Sequence, residues 1–234
     1  MRDRLKVLAI GAAALFAAVP AFAQVVGHVP EKSPYLDLEY SSELTLEYGY
    51  MRTRHDPAGI APQSRSILGA LYEITMTGPL AFSADVISGQ GQRNVIDPLK
   101  PAATRNQGTT SNEVTAADLA LALNLTGMRT FHQLVPQIRA GAGLVTSKAR
   151  DDSSGFAFGT RFAFVYGGGL KYVPTGSRFQ LRADVTDRVF KLDYPDAYYR
   201  IASDNSAVLP ATTAKSFYTH HTALTVGVSY LFRR

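Results

Sequence analysis

The stretch Tyr166–Val185, YGGGLKYVPTGSRFQLRADV, puts full charges at alternate positions of two extended runs and keeps the intervening positions apolar. Before the turn at Pro174-Thr175-Gly176-Ser177, Tyr166, Leu170 and Tyr172 share one face, and Gly167, Gly169 and Lys171 share the other. After it, Phe179, Leu181, Ala183 and Val185 lie opposite Gln180, Arg182, Asp184 and Thr186. Strict period-two alternation marks a strand held between two unlike environments. Charges in mid-strand on one face, with none on the other, read as a membrane-spanning β-hairpin, apolar toward lipid and polar toward a closed lumen.

Most of the remaining chain repeats this pattern. Leu44, Leu46, Tyr48 and Tyr50 alternate with Thr45, Glu47 and Gly49 over 43–53, and Leu68, Ala70, Tyr72, Ile74 and Met76 define a strand over 66–76. After Thr77-Gly78-Pro79, Leu80, Phe82, Ala84 and Val86 face away from Ser83 and Asp85. The run VTAADLALALNL within 113–125 has helix-forming composition, but its leucines recur every second residue, which favours a strand. Further strands are expected over 133–146, 156–173, 178–188 and 220–232, with Phe156, Phe158, Phe162, Phe164 and Tyr166 on one parity. The connections alternate long and short, with the longest at 89–112 and 189–218. The expectation is an all-β fold: an eight-stranded antiparallel up-and-down transmembrane barrel with short turns at one end and long loops at the other.

Residues 1–23 read as a cleaved signal peptide. Arg2, Arg4 and Lys6 precede an apolar run from Val7 to Val19, and Ala21-Phe22-Ala23 is an A-x-A cleavage site. Cleavage removes three basic residues and Asp3, taking the formal charge from +5 to +3. Residues 24–42 form a polar periplasmic lead-in, and 43–234 the barrel domain. No later stretch is long and apolar enough for a membrane helix. The chain has no cysteine, so disulfides and Cys-based metal sites or nucleophiles are excluded. Its basic residues are dispersed among acidic ones, which argues against nucleic acid as a partner.

YGGGLKY (166–172), the turn after it and RFQLRADVTD (178–187) carry a resemblance to the small OmpA/OmpX-like outer-membrane β-barrel superfamily. That resemblance implies a monomer in the cell outer membrane with both termini periplasmic, in contact with outer-membrane lipid and lipopolysaccharide. Val228, Tyr230 and Phe232 resemble the C-terminal signal read by the barrel-assembly machinery, although Arg233 and Arg234 follow the last aromatic. The chain ends at the eighth strand, without the periplasmic peptidoglycan-binding domain of full-length OmpA-type proteins.

The polar parity places Glu47, Glu73, Asp85, Asp118 and Asp184 in the lumen with Arg139, Arg161, Lys171 and Arg182. Buried charges must pair, because an unpaired one costs several kcal/mol. Eight strands leave an interior that side chains just fill. The expectation is a salt-bridged plug, or a narrow, porin-like pore whose ion pairs rearrange, in a barrel with a structural or surface-interaction role. Inward glycines at 141, 143, 167, 169 and 227 would make room for the long basic side chains. No catalytic, cofactor or metal site is expected: His28, His55, His132, His220 and His221 form no H-E-x-x-H or H-x-S pattern, and the adjacent pair 220/221 points to opposite faces. The alternatives are a secreted soluble, lipocalin-like barrel with its apolar face turned inward, and a lipid A-modifying outer-membrane enzyme.

Overall fold

The computed structural model describes residues 33–150, 152, 154, 156 and 158–233. The expected signal peptide, and the lead-in up to position 32, lie outside the described residues. Ten strands follow one another: β1 (Tyr35–Asp37), β2 (Tyr40–Thr53), β3 (Arg65–Thr77), β4 (Leu80–Ile96), β5 (Asn106–Asn124), β6 (Arg129–Phe131), β7 (Leu134–Ala149), β8 (Gly159–Tyr172), β9 (Phe179–Asp193) and β10 (Ser216–Arg233). Eight of them close an antiparallel barrel, each pairing with its sequence neighbour, while β10 pairs with β2 and β7 with β8. The short strands β1 and β6 pair at the end where the tight turns lie.

The register fixes the shape. Followed from Leu144 on β7 through Ala117, Val86, Ala70, Leu46, Val228, Leu181 and Tyr172, the ladder returns to β7 at Leu134, a slip of ten residues. Eight strands with that slip close only if they lean about 40° from the barrel axis. At that lean, roughly ten residues of a strand match the thickness of a lipid core.

The two parities separate cleanly. Leu46 and Leu68 on the outer wall are 68% and 67% exposed, whereas the inward Glu43 and Thr45 are 0% exposed. Leu119, Leu121, Phe162, Phe164, Val226 and Val228 extend the same apolar wall. The helix-compatible run after Glu113 is strand, because pairing with β4 and β7 on both sides overrides its propensity.

Several segments differ from the sequence expectation, among them both ends of 189–218, where β9 runs to Asp193 and β10 starts at Ser216. The polar stretch 89–112 is mostly strand: β4 runs to Ile96 and β5 starts at Asn106. The lead-in holds β1, and β2 begins at Tyr40. Phe156 and Phe158 are buried beneath the loops rather than continuing the outward face of Phe162 and Phe164. The parity breaks at Gly159, the first residue of β8, whose φ of +64° is a left-handed conformation outside the extended range of a strand.

Candidate functional site

The lumen is the site that the sequence singles out, and it is filled in two layers of charge. In the layer nearer the tight turns, Lys171 Nζ on β8 meets Glu43 (3.1 Å) on β2 and Glu73 (2.6 Å) on β3. Arg182 on β9 lies 2.8 Å from Glu43, 3.1 Å from Glu73 and 2.5 Å from Asp184, and donates to Gln137 Oε1 at 2.7 Å. Gln180 and Gln137 donate to Glu43 and Glu73, both at 2.8 Å. Every member is buried, so each charge is stabilised by its partners rather than by water.

In the second layer, Arg188 on β9 pairs with Asp118 (2.6 Å) and Asp85 (3.0 Å), and Arg139 on β7 meets Asp85 at 3.3 Å and donates to Thr186 at 2.6 Å. Carboxylates outnumber cations in these two layers, and Glu47 has no ion-pair partner among the described residues; Thr225 Oγ1 donates to it at 3.3 Å.

Glycine shapes this interior. A Cβ at Gly143 would lie 2.1 Å from Asp118 Oδ1, and one at Gly169 would lie 2.0 Å from Asp184 Oδ1. These glycines therefore make room for the carboxylates, not for the long basic side chains. Only a residue without a side chain lets the neighbouring strand's aspartate lie flat against the wall.

Above the charged layers the filling changes. Met51, Ile67, Ile87, Val114, Val145 and Phe190 form an apolar plug, with the buried His221 ring stacked on Phe190 at 4.5 Å. The long loops continue it: Ile60, Phe156, Tyr194, Tyr198 and Leu209 join the same cluster. Hydrogen bonds pin those loops. Asp56 accepts from Ile60 N (3.2 Å), Ala61 N (2.8 Å) and Tyr194 Oη (2.5 Å). Tyr198 Oη donates to Ile96 O at 3.2 Å, and Arg93 donates to Phe156 O at 2.7 Å while pairing with Asp152. Burial, reinforced by the bond to Asp56, pushes the Tyr194 hydroxyl well above the usual phenol range. Burial, with smaller contributions from Asp56 and Asp97, pushes Tyr198 up to about 12.

Of the residues the sequence nominates, Glu47, Glu73, Asp85, Asp118, Arg139, Lys171, Arg182 and Asp184 lie buried in the lumen. Arg161 does not join them. It sits at the loop end of β8, partly exposed, paired with Asp193 at 2.8 Å and donating to Phe158 O. Its parity points inward, but β8 has left the charged layers by that height. The sequence reading omits Glu43 and Arg188, which share parity with Glu47 and Arg182 and were recoverable from alternation alone. Val228, Tyr230 and Phe232 line the outer face of β10. His220 faces outward, whereas His221 belongs to the apolar plug, so the adjacent pair points to opposite faces.

An apolar exterior around a polar, ion-paired interior is the inverse of a lipocalin. No family model matches the sequence, and no curated protein does. Among solved structures, the chain is similar to Ail, the attachment invasion locus protein of Yersinia pestis, in complex with the heparin analogue sucrose octasulfate (11% identity, 82% of this chain and 100% of that chain, TM-score 0.46). It is also similar to the N-terminal β-barrel domain of Pseudomonas aeruginosa OprF (12% identity, 83% and 100%, TM-score 0.41). A third similar chain is a major outer membrane protein from Thermus thermophilus (10% identity, 82% and 100%, TM-score 0.42).

Proposed function

We propose that this protein resides in the bacterial outer membrane, both termini periplasmic, as a closed, non-catalytic barrel that presents a rigid loop cap to the exterior. The observation that carries this reading is the continuous filling of the interior: ion-paired layers over the lower lumen, then an apolar plug into which the loops fold. A pore would need an aqueous path through both, and neither layer leaves its groups solvated. The tight turns lie at the same end as Tyr40 and Arg233, with the long loops opposite, an arrangement that supports this orientation. Recognition is assigned to the loop end, because loops held on a rigid scaffold carry binding. Val228, Tyr230 and Phe232 present the outward face that the assembly machinery would read.

Reconstitution into planar lipid bilayers tests the closed lumen. No current above the lipid baseline is expected from protein whose folding is verified by a heat-dependent mobility shift on gels. Discrete, reproducible channel steps from that sample would replace this reading with a narrow pore. Unchanged acylation of the host's lipid A in mass spectra is the matching expectation for the absence of catalysis.

A further inference from the structure

Arg65, at the start of β3, is a buried cation, 3% exposed, with no ion-pair partner among the described residues. Its Nε donates to Gln63 O at 2.9 Å. Its Nη1 donates to Asn112 O and Asn112 Oδ1, both at 2.9 Å, and to Gly89 O at 3.4 Å. Its Nη2 is buried with no hydrogen-bond partner among the described residues. Neutral oxygens solvate the guanidinium but do not cancel its charge, and a buried charge without a counter-charge is costly.

The charge is relayed toward a cavity. A guanidinium only donates, so Asn112 turns Oδ1 toward Arg65 and Nδ2 away from it. That Nδ2 donates to Ser147 Oγ on β7 at 2.8 Å. Ser147 Oγ, already accepting, has its own proton left to give. Hydrogen bonds aligned in one direction polarise one another. Ser147 lines a cavity of about 10 Å³ inside the apolar plug, beside Phe190, Arg161 and His221. That is room for one water-sized species. His221 is 1% exposed, and neither ring nitrogen has a partner among the described residues. One of the two carries a proton in the neutral ring.

The cavity therefore offers two unused donors, Ser147 O–H and His221 N–H, with the Arg161 guanidinium adding positive charge to its wall. Its side-chain acceptor is the second imidazole nitrogen, and no carboxylate lines it among the described residues. A water placed there has two protons to give and one such acceptor to receive them. A monatomic anion has none to give, and it offsets the Arg65 charge as well.

We propose that this cavity is a halide site, the ion held by Ser147 O–H and His221 N–H, with Arg161 on its wall and the Arg65 charge behind Asn112. Pro62 and Phe158 also line it, from the β2–β3 and β7–β8 connections. The bound ion thus ties the bases of two loops to the barrel.

The experiment uses the full chain folded in neutral-detergent micelles, its folding verified by the heat-dependent mobility shift. The medium is potassium gluconate, chloride or bromide at one ionic strength. The readouts are the rate of tryptic cleavage within the loops and the excess linewidth of the chloride NMR signal. Chloride and bromide are expected to slow cleavage about tenfold once the halide stands at roughly ten times its half-saturating concentration. Gluconate, too large for the cavity, should not slow it. Folded protein should broaden the chloride resonance, and bromide should reverse the broadening by competition. Ser147→Ala and His221→Phe each remove one donor and should abolish both effects. Arg65→Gln should raise the half-saturating concentration severalfold, whereas Lys148→Gln, outward on β7, should leave it unchanged. Equal cleavage rates in gluconate and chloride overturn the site and leave the cavity to water. A chloride effect that survives both donor substitutions, or a parent-like affinity in Arg65→Gln, overturns it too. Should the variants fail to fold, the folded parent still decides: no excess chloride linewidth overturns the site.

Discussion

The lower and upper halves of this barrel's interior exclude water by opposite chemistry. Around Arg182 the filling is directional: each charge is stable only while its partners are in place. Around Phe190 and Phe156 it is additive, because apolar contacts contribute in proportion to the area they cover. The same eight strands carry both, so the difference lies in the inward side chains and not in the backbone. A charged layer fails when one member is removed. An apolar plug loosens by degrees, which suits the end of the molecule built from loops.

Substitutions separate these behaviours. The largest loss is expected from Arg182→Met, which leaves Glu43, Glu73 and Asp184 short of a shared cation; removing one partner of a buried ion pair costs about 3–5 kcal/mol. Urea unfolding in micelles would show it, and a loss below about 1 kcal/mol would mean that the layer is hydrated. Phe156→Ala in the plug is expected to cost about 3 kcal/mol of local stability. It should appear as faster protease cleavage within the loops while the barrel's own unfolding midpoint stays put. Gly143→Ala pushes a methyl against Asp118 Oδ1 and the Ala117 carbonyl and is expected to cost about 1–3 kcal/mol, read as a lowered midpoint in the same urea unfolding.

The smallest effect is alkaline. Burial holds Tyr198 neutral up to about 12, and the Tyr194 hydroxyl is raised further with the help of Asp56. A raised folded value stabilises the neutral form. That contribution is complete below the ordinary phenol value of 10.0 and is lost as pH climbs through about 12. Ultraviolet titration of tyrosinate should show these two ionising after the exposed tyrosines, with loop protease sensitivity rising in step. Early ionisation of all tyrosines together would mean that the plug is open.

Alternation made the membrane-crossing part legible, because lipid outside and charge inside force opposite characters onto successive residues. Glu43 and Arg188 obeyed that rule and could have been read. Above the membrane the rule lapses. Gln90, Gln92, Ser111 and Asn112 lie on strands with polar groups on both faces, so those strands look like loop. Phe156 and Phe158 kept the right parity for the outer wall, but they precede Gly159, whose left-handed backbone interrupts the alternation, and they are buried in the plug. Arg161 kept inward parity but lies above the charged layers. Parity records which side a residue faces and is silent about height along the axis.

The plug also divides the loops into two kinds of position. Ile60, Phe156, Tyr198 and Leu209 hold the cap together from within, while Leu99, Ile201 and their polar neighbours face outward. In the proposed orientation, substitutions at the outward positions change what the cell surface displays without disturbing the cap. Antibodies or phages that select for change should therefore drive drift at those positions and meet constancy at the inward ones, although both lie on the same loops.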